Sequence, residues 1–192
     1  MNTSISKQKE SWIWQVLVGS SLLGLVASFI QLIERIQYAD NPTGKLFCDI
    51  NATFSCNNVF ASWQSSVFGF SNTILCLTFF SIIFGAALVG VSGGKLNRTL
   101  RLCLHFFSLF FLGFGAWYLW QSTFVINSIC IFCLFCYAAV ILMNATWFRI
   151  NAPDLPFGHK TISRAVDKNI DLAAWLLWTL ALVGMMVVHF GN

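Results

Sequence analysis

Two pairs of cysteines have the types and spacing to do chemistry. Cys130 and Cys133 enclose Ile131 and Phe132 in a Cys-x-x-Cys motif, and Cys48 and Cys56 lie upstream with seven residues between them. The thiolate is the reactive form of cysteine, and the free N–H groups and positive dipole end at a helix start favour it. Residues three apart on a helix are neighbours, so a Cys-x-x-Cys pair can open and close with modest movement. Two such pairs in series suggest a relay by thiol–disulfide exchange. Cys76, Cys103 and Cys136 fall inside apolar stretches and read as small buried hydrophobes without chemistry. A single static Cys48–Cys56 disulfide would leave Cys130 and Cys133 unexplained. A zinc site of four cysteines ranks lower. The seven-residue gap departs from the usual gap of about two to four residues, and the loop holds no histidine. No metal is expected.

The elements that must position these pairs are membrane helices. The chain has 192 residues, of which 57% are hydrophobic and only 9% charged. A soluble domain carries about 25% charged residues, so this composition excludes a water-covered surface. Twenty Phe and eight Trp equally exclude a disordered chain. A crossing helix needs about 20 mostly apolar residues. Charge-free stretches predict five, near 11–33, 67–91, 102–120, 129–148 and 172–190, within a single membrane domain over 1–192. Gln121, Ser122, Thr123, Asn127 and Ser128 mark the polar turn that divides the long uncharged run between Arg101 and Arg149. The first span exceeds the roughly 7–15 apolar residues of a signal peptide and runs on into Glu34-Arg35-Ile36-Gln37-Tyr38, so it reads as an uncleaved anchor.

Lys and Arg placement sets the expected orientation. With the N-terminus inside, the inner segments hold Lys7, Lys9, Lys95, Arg98, Arg101, Arg149, Lys160, Arg164 and Lys168, and the outer ones only Arg35 and Lys45. The net charge of +4 is therefore topology and not a nucleic-acid footprint, and no nucleic-acid partner is expected. The polar segment 151–171, with Pro153 and Pro156, reads as an inner connector. The outer loop, 34–66, carries Cys48 and Cys56, and the outer end of the fourth span carries Cys130 and Cys133. Charge alone thus puts both pairs on the face where disulfides persist: periplasm, cell exterior or lumen.

A loop pair can meet a soluble protein, and a pair at the membrane boundary can meet a lipid-soluble acceptor. In a chain without haem or flavin motifs, a quinone is the natural candidate, with the protein supplying positioning and electrostatics. Tyr137 lies four residues after Cys133, one turn deeper on the same helix face. Asn72 sits near the outer end of the second span. Polar groups in an apolar pocket would orient quinone carbonyls. Tyr137 reads equally as an interfacial anchor, and Asn72 as a helix-end residue. Phe60 and Trp63 either roof the pocket or anchor the loop at the interface. By helix phase Cys136 is less well aligned than Tyr137, so the pocket is expected to depend on Tyr137 and not on Cys136.

These stretches resemble the vitamin K epoxide reductase family and its bacterial homologues. The resemblance rests on Cys48-Asp49-Ile50 through Ser55-Cys56, then Val59-Phe60-Ala61-Ser62, Gly69-Phe70-Ser71-Asn72, and Cys130-Ile131-Phe132-Cys133 followed by Tyr137. It implies an all-α integral membrane protein: a four-helix bundle around a quinone, capped by the outer loop, with a fifth transmembrane helix outside it. It also implies roles. Cys48 would exchange with a thioredoxin-like partner, Cys56 would pass electrons to Cys130, and Cys133 would face the quinone, hydrogen-bonded by Asn72 and Tyr137. Many bacterial relatives continue into a fused thioredoxin-like domain. This sequence ends at Asn192, which implies a separate partner. The fifth span and the glycosylation sequon Asn51-Ala52-Thr53 between the loop cysteines both lean toward a bacterial inner membrane, with the C-terminus outside.

The leading expectation is a quinone-linked thiol–disulfide oxidoreductase, using a ubiquinone or menaquinone type, that oxidises a thioredoxin-like protein in the periplasm or a lumen. The alternative within the same site is a vitamin K quinone or epoxide reductase with thiol donors. A transmembrane carrier of reducing equivalents would need cysteines reachable from both faces, which the placement of the pairs opposes. A purely structural membrane protein remains the bland alternative.

Overall fold

The computed structural model describes residues 2–154 and 159–191. Five helices are long and apolar enough to cross a membrane. In lipid every backbone polar group must be satisfied internally, and helices do so within one segment. They are α1 (Asn2–Asp40), α3 (Asn72–Val91), α4 (Arg98–Gln121), α5 (Ile131–Asn151) and α7 (Ile170–Phe190). Two short helices, α2 (Cys56–Ala61) and α6 (His159–Asp167), lie in connecting segments. No strand occurs among the described residues, and the architecture is all-α, as expected.

The bundle is centred on α5, which buries 61% of its apolar stretch, whereas α7 buries 6%. α1 packs on α3 and α5, and α4 packs on α5. Close approach needs small residues. A Cβ at Gly24 of α1 would collide with the Phe80 ring of α3, and one at Gly115 of α4 with the Tyr137 ring of α5. The central core is aromatic, with Phe79 stacked on Phe111 and Trp14 edge-on to Trp147. α7 stands outside. It is tied to the bundle by Arg149, whose guanidinium donates to both carboxylate oxygens of Asp171 at 2.6 and 2.8 Å.

The boundaries differ from the charge-free stretches in instructive ways. α1 does not stop at Ile33 but runs to Asp40, so Glu34, Arg35 and Tyr38 are helical and the connecting segment begins at Asn41. A charge ends an apolar run without ending a helix. α3 starts at Asn72, five residues after the predicted start of its span, because Ser71 caps it by accepting from the Thr73 N–H. After Gln121 the polar run continues as one wide helical turn over Ser122–Ile126, which ends at Asn127 in the left-handed region. The inner connector expected over 151–171 folds into a short turn (Ala152–Asp154) and α6; Pro156 lies outside the described residues.

The segment between α1 and α3 folds back over the end of the bundle. Thr53 accepts at its carbonyl from the Ile129 N–H at 2.7 Å. Ser128 donates to the Ala52 carbonyl and accepts from the Asn58 amide. Arg35 pins α2 from the other side, donating to the Phe60 carbonyl at 2.6 Å and lying over the Phe60 and Tyr38 rings. These contacts set Cys56, the first residue of α2, against Cys130, which precedes α5.

Candidate functional site

All four expected cysteines meet at one end of the bundle. Cys48 and Cys56 form a disulfide, with Cα atoms 5.7 Å apart. Cys130 and Cys133 are free thiols. The Cys130 sulfur lies 3.0 Å from the Cys56 sulfur. Reacting atoms in near-attack geometry sit about 3–3.5 Å apart, so Cys130 stands within reach of the loop disulfide. Cys48, Cys56 and Cys130 are all buried, and their sulfurs lie within 4.8 Å of one another. With Cys48 and Cys56 bonded together, only Cys130 of the three can offer a thiolate.

Local sequence explains the loop geometry. The Asp49 carboxylate accepts from the Leu46 N–H, the Asn57 N–H and the Ser55 hydroxyl at 2.8–3.1 Å. Ser55 in turn caps α2 by accepting from the Asn58 N–H. Burial pushes the Asp49 carboxyl up, but the hydrogen bonds from Asn57, Leu46, Ser55 and Cys56 outweigh it and hold the group below its ordinary value. Asp49 is thus a clamp that closes the loop around the disulfide.

Beneath the cysteines lies a pocket walled by α1, α3, α4 and α5. Cys133, Asn72, Tyr137 and Phe60 all line it. Trp63 does not. It is exposed and packs on Trp117. Cys136 lines the pocket as well, and so does Cys76 from α3. A pocket wide enough to span several helices collects residues from more than 60° of α5, so i and i+3 both face it.

The polar groups differ in how they are engaged. Asn72 donates to the Gln64 carbonyl at 2.7 Å, and its side-chain oxygen is buried without a partner. The Tyr137 hydroxyl donates to the Leu112 carbonyl and accepts from the Trp178 indole of α7, both at 3.2 Å. Much of its hydrogen-bonding capacity is therefore already used within the protein. Tyr118 lines the same pocket, and its hydroxyl has no hydrogen-bond partner among the described residues.

Three residues here escaped the reading of the sequence. Gln31 of α1 donates its amide to the Cys133 sulfur at 3.0 Å and to the Cys130 sulfur at 3.6 Å. Glu34, one turn further on, approaches Cys48. Tyr118 is the third. A buried polar residue in an apolar helix is a functional signal by default, and Gln31 carried that signal inside a stretch judged only for its lack of charge. Glu34 served only to end the span. Nothing in its local pattern sets Tyr118 apart from its aromatic neighbours.

An apolar pocket with a free hydroxyl, an orphaned acceptor and a cysteine in its wall suits a flat ring bearing two oxygens, as in a quinone or quinol. A comparison with curated proteins finds no match. The sequence model of the vitamin K epoxide reductase family matches residues 15–148, which take in most of each of the four helices of the bundle and every cysteine of the site, and the chain belongs to that family.

Proposed function

We propose that this membrane oxidoreductase takes two electrons from a separate thioredoxin-like protein and delivers them to a membrane quinone, supporting disulfide formation. Family membership covers the coarser part, quinone-linked thiol redox chemistry. The observation that supports the finer part is the 3.0 Å separation between the Cys56 and Cys130 sulfurs, short enough for exchange between the two pairs. Both pairs lie at the same end of the bundle, which opposes a carrier working between two faces. The nine-to-two bias of Lys and Arg supports that end facing outward, from a bacterial inner membrane.

In the working direction a partner thiolate attacks Cys48 and the loop pair is reduced. Cys56 then attacks Cys130 of the oxidised Cys-x-x-Cys pair, and Cys133 leaves as a thiolate toward the pocket. Cys48 closes on Cys56 and releases Cys130. The sequence ends with the loop pair oxidised and Cys130 and Cys133 free, which is the redox state described above. Cys48 is only 1% exposed in this closed loop, so the partner has to lift the segment around it. Phe47 and Ile50 flank it at 84% and 63% exposure and offer the apolar surface for that contact.

In the pocket, Asn72 would accept from a ring hydroxyl, Tyr118 would donate to a ring oxygen, and Phe60 would cover the ring. A quinone of the ubiquinone or menaquinone type, when bound, supplies the two-electron acceptor capacity. The test mixes purified protein, a reduced thioredoxin-like protein and a quinone. Quinone absorbance should fall in step with thiol loss, one quinone for each dithiol. Thiol loss that does not depend on quinone would overturn the reading.

A further inference from the structure

We propose that Glu34 is a catalytic carboxylate of the relay, the group that takes the proton of Cys48 when the loop disulfide closes and returns it when the disulfide opens. The inference rests on the relay proposed above and goes beyond its four cysteines. Glu34 is 5% exposed, on the face of α1 turned to the loop. Its Oε2 lies 3.5 Å from the Cys48 sulfur. The same oxygen accepts from the Phe47 N–H at 3.1 Å, which holds the carboxylate beside the sulfur. The neighbouring cation does not neutralise it: Arg35 is turned to the Phe60 carbonyl and the Ser66 hydroxyl. The ion pairs among the described residues are Arg101–Asp154 and Arg149–Asp171, both elsewhere. A buried carboxylate with no cation is costly to keep unless it does something. Here it abuts a sulfur that must lose or gain a proton at each exchange.

The step balances as follows. With Cys56 and Cys130 joined in a mixed disulfide, the Cys48 thiol gives its proton to the Glu34 carboxylate as its sulfur attacks Cys56. The Cys48–Cys56 bond forms and the Cys56–Cys130 bond breaks. The electron pair goes to the Cys130 sulfur, where Gln31 donates a hydrogen bond. No net oxidation occurs within the step. The carboxylic acid then releases its proton to the outer solution when the loop next opens. α1 thus serves both pairs, Glu34 the loop pair and Gln31 the motif pair.

The groups around Glu34 that bear on its pH dependence are few. Arg35 and Tyr38 follow it on α1. Lys45 is exposed in the loop, and Asp49 is held by its own hydrogen bonds. Cys56 is bonded to Cys48. The thiols of Cys130 and Cys133 face the site from α5, and Cys130 feels the Glu34 charge.

The experiment starts from fully reduced full-length protein mixed rapidly with excess quinone. Two quinones are consumed: the first by Cys130 and Cys133 directly, the second only after the loop pair closes. Glu34→Gln keeps an acceptor for the Phe47 N–H but cannot take the proton. It should not slow the first phase, since loss of the Glu34 charge favours the Cys130 thiolate if it acts at all, and should slow the second about tenfold or more, with a rate that climbs steeply as pH rises and Cys48 ionises by itself. Glu34→Asp should recover part of the second phase. A Glu34→Gln variant whose second phase matches wild type across pH would overturn the proposal. So would a slowing without a changed pH profile, which is what a mere tether for Phe47 predicts, or an equal slowing of both phases. Absence of any quinone reduction by the wild-type protein would instead remove the relay itself.

Discussion

The side-chain amide of Gln31 lies 3.0 Å from the Cys133 sulfur and 3.6 Å from that of Cys130, so one donor on α1 serves both thiols of the motif on α5. A hydrogen bond to an ionised group is worth about 1.5–3 kcal/mol, roughly twice a neutral one. Gln31 therefore favours the reduced, thiolate-bearing form of the pair. Gln31→Leu should lower the reduction potential of Cys130/Cys133 by roughly 30 mV, the equivalent of about 1.4 kcal/mol for two electrons. Equilibration against a thiol buffer of known potential measures it. An unchanged potential would mean that the amide only fills space.

Replacing Cys133 should trap the exchange half-way. With Cys130 already 3.0 Å from Cys56, loss of its resolving partner should leave a Cys56–Cys130 disulfide as the stable product. Thiol labelling followed by electrophoresis under non-reducing conditions shows it as a mobility shift, and replacing Cys56 as well should remove it. Replacing Cys48 should block turnover with a protein dithiol while small permeant thiols bypass it. Cys76 and Cys136 line the pocket but lie away from the exchange path, so Cys76→Ala and Cys136→Ala should still form the trapped species in a Cys133 variant.

The number and order of the membrane helices were legible because lipid leaves one solution for an apolar stretch of about 20 residues, and Lys and Arg mark its ends. The four cysteines were legible because thiol chemistry needs pairs, and pairs are visible in a string. Helix termini were less so. Glu34 bounded a span only as a charge, whereas the backbone around it continued to Asp40. What the sequence conceals is which polar side chains face inward. Gln31 becomes a sulfur ligand only because the loop sets Cys130 and Cys133 beside α1. Tyr137 and Tyr118 are both pocket tyrosines, and only three-dimensional packing reveals that Trp178 and Leu112 occupy the first and leave the second free.

The Asp49 clamp makes a pH prediction. Its carboxyl is held below the ordinary value in the folded loop, so its contribution is complete above the unfolded carboxyl value of about 3.9. It is lost as pH falls through the lowered folded value. Divided by the rate for an unstructured peptide disulfide at the same pH, the rate at which a small phosphine reduces Cys48–Cys56 should therefore stay flat from neutral pH to about pH 4 and rise only in stronger acid. Asp49→Asn should raise that rate already at neutral pH, because an amide cannot accept three hydrogen bonds as a carboxylate does. Equal rates for the two proteins at neutral pH would show that the loop is closed by its contacts to Ser128 and Ile129 alone.

The pocket groups should separate by what already binds them. Tyr118 has an unengaged hydroxyl in the pocket, whereas the Tyr137 hydroxyl is held between Leu112 and Trp178. If a ring oxygen is recognised by the free donor, Tyr118→Phe should raise the KM for quinone several-fold, the equivalent of about 0.5–1.5 kcal/mol, with little effect on the trapped Cys56–Cys130 species. Asn72→Leu removes the orphaned acceptor and should act on the same parameter. Tyr137→Phe breaks the link to α7, so its effect should be shared by Trp178→Phe and should not add to it, since the two groups form one hydrogen bond. Steady-state quinone reduction by the two single variants and the double variant tests the coupling. A Tyr137→Phe effect on quinone KM that Trp178→Phe does not reproduce, alongside a silent Tyr118→Phe, would assign ring recognition to Tyr137 and require its hydroxyl to leave Leu112 when the pocket fills.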